Sequence, residues 1–153
     1  MKKIKVINSI LILFVLAALF ACATDKHAIN QNPQKILAAV NNKYPTEKNI
    51  LVFIDAPTGF IGRSLALDAV EDNVDSGKVV AIASALAFKT SSVIVAGEHE
   101  SLTASTIAKV LTSDKSKING SRLIVVGANQ TRQRLTDLAA YSNVSIEFID
   151  TPI

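Results

Sequence analysis

Apolar residues fall along this chain in two rhythms. Short continuous runs occupy positions 50–54, 93–96, 123–126 and 144–149. The first three are apolar at every position and rich in Val and Ile, the composition of strands buried on both faces of a parallel sheet. In the fourth, Val144, Ile146 and Phe148 alternate with Ser145 and Glu147, a half-polar pattern that predicts an edge strand. Between the runs the apolar spacing lengthens to that of a helix. Asn32 before Pro33 reads as an N-cap with proline at the first helical position, and Ile36, Leu37 and Val40 then form one face as far as Tyr44 and Pro45. Ser101 is the expected cap of a helix that buries Ala104, Ile107, Val110 and Leu111. Thr131 is the expected cap of one that buries Leu135, Leu138 and Ala139 and ends near Asn143. Residues 60–89 read as two helices hinged at Ser76 and Gly77. Asp68, Asp72 and Asp75 give the first a solvated stripe, whereas the second, KVVAIASALAFK, has almost no polar face and should be buried in the domain or against a partner.

Strands that alternate with helices in this way predict an α/β fold: a small three-layer domain with a mostly parallel four-stranded sheet, Rossmann-like or flavodoxin-like, joined by right-handed crossovers. In such sheets ligands bind beyond the carboxyl ends of the strands. Candidate ligand-binding residues are therefore Asp55, Thr58, Gly59 and Arg63 after the first strand, Glu98 and His99 after the second, and Asn129 after the third. Glu100, Gln130, Arg132, Asp150 and Thr151 lie on the same edge. Two stretches there look alike, VIVAGEHES and LIVVGANQT, with Gly97 and Gly127 closing their apolar runs. Each is the turn that a strand-to-helix unit needs.

The chemistry at that edge is sparse. DAPTGFIGRS lacks the three-glycine spacing of a dinucleotide loop and the Gly-Lys-Ser/Thr ending of a phosphate loop. His99 is the only histidine of the predicted domain and stands between two glutamates, a setting suited to proton acceptance or pH sensing. Contiguous Glu-His-Glu is a poor metal site, because adjacent side chains of an extended loop point in opposite directions. Ser64, Ser101 and Ser105 offer hydroxyls, but no Gly-x-Ser-x-Gly elbow places one. No catalytic residue, metal ligand or cofactor site is predicted.

The first 21 residues belong to none of this. Lys2, Lys3 and Lys5 precede an apolar stretch at 10–21 that is shorter than the roughly 20 residues a bilayer span requires. The junction Leu19-Phe20-Ala21-Cys22 resembles the lipobox of bacterial lipoproteins, with Phe20 where that family usually carries a small residue. The resemblance implies cleavage before Cys22, the only cysteine of the chain, and its acylation, giving an anchor of more than one acyl chain. It also implies sorting by the next residue: Ala23, rather than Asp, directs the protein to the outer membrane, facing the periplasm. Residues 22–31 then form the lipidated cysteine and a polar tether, whose nine residues after Cys22 reach roughly 30 Å when extended. Residues 32–153 form one domain.

Removing the signal also changes the charge. Of 16 Lys and Arg, three lie in the leader, leaving 16 − 3 = 13 against 13 Asp and Glu. A formally neutral domain offers no basic field for nucleic acid. The expected function is that of a membrane-anchored envelope lipoprotein, a non-catalytic binding module for another envelope component such as a secretion, pilus or wall-associated assembly. The alternative is a small-molecule-binding protein or enzyme that uses Asp55, His99 and Asn129.

Overall fold

The computed structural model describes residues 32–72, 77–113 and 115–150. The leader, Cys22 and the tether lie outside the described residues, as do Asp75, Ser76 and Thr151. In chain order the elements are α1 (Pro33–Lys43), β1 (Asn49–Ile54), α2 (Phe60–Glu71), α3 (Gly77–Ala87), β2 (Ser92–Gly97), α4 (Glu100–Thr112), α5 (Lys115–Ile118), β3 (Arg122–Val126), α6 (Arg132–Tyr141) and β4 (Ser145–Ile149). The α/β class and the two separate helices within 60–89 are as the periodicity predicts. All pairings are parallel, and the strands lie in the order β1-β2-β3-β4.

That order decides the layering. Each strand is added on the same side of the one before, so right-handed crossovers carry every connecting helix to the same face of the sheet. On that face Val93, Val95, Leu123 and Val125 pack with Val70 of α2, Ile82 and Leu86 of α3, Ile107 and Leu111 of α4, Ile118 of α5 and Leu135 of α6. The alternate positions Ile94, Ala96, Ile124 and Val126 face the other way, where Ile36 and Val40 of α1 cover them. One helix on one side and five on the other make the three layers.

Local sequence explains most elements. The Asn32 side chain accepts from the backbone N–H of Gln34 and of Lys35 at 3.0 and 3.1 Å, and Pro33 begins α1 with no N–H to satisfy. Helix α4 runs through the middle of the helical layer, with Ala104, Ile107, Val110 and Leu111 buried as expected. Fully burying an Ile or Leu such as Ile107 or Leu111 is worth about 1.5–3 kcal/mol.

Four local expectations are corrected. His99, not Ser101, is the N-cap residue of α4, so Glu100 already lies in the first helical turn. A carboxylate there is favoured by the positive end of the helix dipole. Strand β1 is an edge strand, half-exposed at five of its six positions, because the sheet order leaves it with a single neighbour. Strand β4, the other edge, begins at Ser145 rather than Val144. Helix α3 buries Val79, Ile82, Ala85 and Leu86 along one side only, leaving Val80 of the helix and Phe88 just after it in solvent.

Candidate functional site

The two ends of the sheet differ in what they do with their polar groups. At the carboxyl edge the groups are used to fasten one loop to the next. Asp55 pairs with Lys78 at 3.3 Å, and the same ammonium donates to the carbonyl of Phe53 at 2.6 Å. Glu98 accepts from the N–H of Ala56 at 3.0 Å, clasping the loop after β1, while its own N–H continues the parallel ladder to Ile54. Glu100 accepts from the N–H of Gln130 at 2.6 Å and so ties β2 to the loop after β3. Arg132 pairs with Asp150 and stacks on the Phe148 ring.

Each candidate ligand residue can now be placed. Gly59 is the N-cap residue of α2 at φ 82°, a conformation suited to glycine; Thr58 beside it is exposed. The carbonyl of Gly59 accepts from the N–H of Arg63 on the first turn of α2. His99 is buried, and its side chain does not cap α4. Its carbonyl accepts from both the N–H and the hydroxyl of Thr103. Asn129 is exposed in the turn after β3. The edge thus brings Asp55, Glu98 and His99 into neighbouring loops, but spends the carboxylates on backbone and lysine partners. A sheet in the order 1-2-3-4 also has no point where strand order reverses, which is where open α/β sheets form their ligand crevice. Among the described residues no group of three or more His, Cys, Asp or Glu is placed to hold a metal ion.

The two look-alike turns have different physical reasons. Gly127 has φ 80°, so its lack of a side chain answers a backbone demand. A Cβ on Gly97 would instead lie 2.3 Å from Thr103 Oγ1 and 2.8 Å from the Ile54 carbonyl oxygen. Close packing of α4 and β1 on β2 is what requires that glycine.

The amino-terminal edge carries a network that sequence pattern did not single out. Arg122, the first residue of β3, donates to Glu47 and, at 3.0 Å, to Glu147, and its guanidinium lies over the Tyr44 ring, 4.6 Å from the centroid. Glu147 also accepts from the Tyr44 hydroxyl and, at 2.8 Å, from Lys43. The Lys43 ammonium, then the Tyr44 hydroxyl and, against some burial, Arg122 hold the Glu147 carboxyl at about 2. Glu47 is held below the ordinary carboxylate range by the Ser92 hydroxyl and then by Arg122, again against burial. Helix α1, the loop before β1, and strands β2, β3 and β4 are joined here.

Beside the network opens a cleft of about 310 Å³ whose lining includes Glu47, Ser92 and Arg122 together with Lys48, Lys89, Thr90 and Ser91. Glu47 is its one carboxylate and is engaged by Arg122 and Ser92. Lys48 and Lys89 have no carboxylate partner among the described residues. Lys89 also has φ 41°, just past the end of α3, where glycine is the low-cost residue. A second cleft of about 190 Å³ lies among α2, α4 and α6. The only sequence signal for the amino edge was charge breaking into the strands, Arg122 opening an apolar run and Glu147 on the polar side of the last one.

Comparison with protein-family models, with curated proteins and with solved structures finds no match for this chain. Among the described residues no helix is long and apolar enough to cross a membrane.

Proposed function

We propose that this chain is an envelope lipoprotein, held at the periplasm-facing side of the outer membrane by lipid on Cys22, whose α/β domain is a non-catalytic binding module for another envelope component. The anchor half of this reading rests on the lipobox-like Leu19-Phe20-Ala21-Cys22. The binding half rests on one observation: the cationic cleft at the amino edge, where Lys48 and Lys89 have no carboxylate partner among the described residues and lie beside an ionic network. Ammonium groups over a polar cleft suit a partner that presents carboxylates or phosphates. At the carboxyl edge Asp55 is paired with Lys78 and His99 is buried, so the alternative of a small-molecule binder or enzyme acting through Asp55, His99 and Asn129 gains no support there.

Two experiments separate the halves. Cys22→Ala should release the protein from the membrane fraction, and unchanged fractionation would refute the anchor. A photo-crosslinking residue at Thr90, beside the cleft, should capture a defined envelope protein in intact cells. Asn129, at the opposite edge, should give no such product, and a lysine-to-glutamate change at 48 and 89 should abolish capture from Thr90. Equal capture from both positions, or capture indifferent to the lysines, would remove the amino edge as the binding face.

A further inference from the structure

Three large apolar side chains of α2 stand in solvent: Phe60 is 81% exposed, Ile61 75% and Leu65 63%. They belong to the first two turns of a helix that starts just after the carboxyl end of β1, so they lie at the carboxyl edge of the sheet. Helix side chains lean toward the helix N-terminus, which here means outward past that edge. The acids of the same helix, Asp68 and Glu71, and Asp72 just beyond, come in its second half.

The described chain begins near the same edge, at Asn32. Helix α1 leads directly into β1 and runs antiparallel to it, so its C-terminal Lys43 and Tyr44 reach the amino-edge network. Its length, about 16 Å by helical rise, returns Asn32 close to the carboxyl edge. Between Cys22 and Asn32 there are nine residues. A flexible chain of that length has a root-mean-square span of roughly 17 Å. The carboxyl edge is therefore the part of the domain kept nearest to the anchor. Its carboxylates have partners, though Asp55 and Asp150 are largely exposed: these two are ion-paired, and Glu98 and Glu100 bind backbone N–H groups.

We propose that this edge rests on the bilayer that holds the lipid of Cys22, with Phe60, Ile61 and Leu65 entering the headgroup boundary. The proposal depends on the anchor reading and goes beyond it, because an anchored domain could equally tumble freely at the end of its tether. Large apolar side chains at a surface already held close by an anchor add to its attachment as a second signal does. The consequence is an orientation: the cationic cleft, at the opposite edge, points away from the membrane.

The test uses the full lipidated protein in vesicles of phosphatidylethanolamine and phosphatidylglycerol with brominated chains. An environment-sensitive thiol dye is placed on Ser64→Cys, on the exposed face of α2, or on Thr90→Cys, at the amino edge; both positions are exposed. Several-fold stronger quenching at 64 than at 90 is expected. Serine at Phe60, Ile61 and Leu65 together should lower quenching at 64 by at least twofold while leaving the circular dichroism spectrum unchanged, since all three side chains are outside the core. Equal quenching at the two positions, with the protein vesicle-bound and carrying one dye per chain, would overturn the orientation alone. A second dye per chain would reveal a free Cys22 thiol and overturn the anchor reading itself.

Discussion

Neutralising Glu147 without changing its shape is the sharpest probe of the amino-edge network. The substitution is Glu147→Gln, which keeps one acceptor oxygen, for either Tyr44 or Arg122, and removes the charge that Lys43 and Arg122 share. A carboxyl moved from 4.5 to about 2 corresponds to at most about 3.4 kcal/mol of preference for the charged form. The side chain is 34% exposed, so solvent screening cuts this, and exposed ion pairs are typically worth about 0.2–1 kcal/mol each. With two cationic partners we expect a loss of about 1.5 kcal/mol at pH 7. Because the folded carboxyl titrates below the unfolded one, its contribution is complete above pH 4.5 and disappears as pH falls toward 2. Urea unfolding followed by circular dichroism should therefore show the wild type and the variant converging between about pH 5 and pH 2. Added salt should shrink the pH 7 difference. A difference below about 0.3 kcal/mol at pH 7, or one as large at pH 2 as at pH 7, would refute the assignment of this network as a stabilising clasp.

Three further sites test the backbone: Gly97, Lys89 and Asn32. Gly97→Ala forces a Cβ against Thr103 and the Ile54 carbonyl and should cost about 2 kcal/mol or more in urea unfolding; Thr103→Ala in the same chain should restore only part of it, since the carbonyl remains. Lys89→Gly relieves a positive φ and should raise stability by about 0.5–1 kcal/mol, while weakening partner capture at the cleft. Removing the α1 cap by Asn32→Ala leaves the N–H groups of Gln34 and Lys35 without their acceptor and should lower stability by about 1 kcal/mol, seen as a lower thermal midpoint.

Much of the fold was legible because it is local. The cap at Asn32, the apolar faces of α1, α4 and α6, and the break between α2 and α3 follow from spacing of three and four residues and from capping chemistry, which act within a few residues. The candidate site was legible only in part. Topology correctly brought Asp55, Glu98, His99 and Asn129 to one edge, but their partners Lys78, Ala56 and Thr103 come from elsewhere in the chain or through the backbone. Their use as fasteners had no sequence signal. The cap of α4 was not legible: Ser101 has the chemistry of a cap, yet β2 ends at Gly97 and the chain turns into helix at once, making His99 the cap residue.

By itself the sequence determined the alternation of strands and helices, the apolar faces of α1, α4 and α6, and the lipobox-like junction at Leu19 to Cys22. These depend on side-chain period and composition, which are properties of contiguous residues. Only the tertiary structure decided that the strands lie in the order 1-2-3-4, that β1 is an edge, and that, among the described residues, five helices share one face while α1 covers the other. It alone brought Glu47, Arg122 and Glu147 together, in bonded pairs 75 and 25 positions apart in the chain. A strand's pattern says how deeply it could be buried but not which strand lies beside it, and charges meet across a sheet only after register has been set.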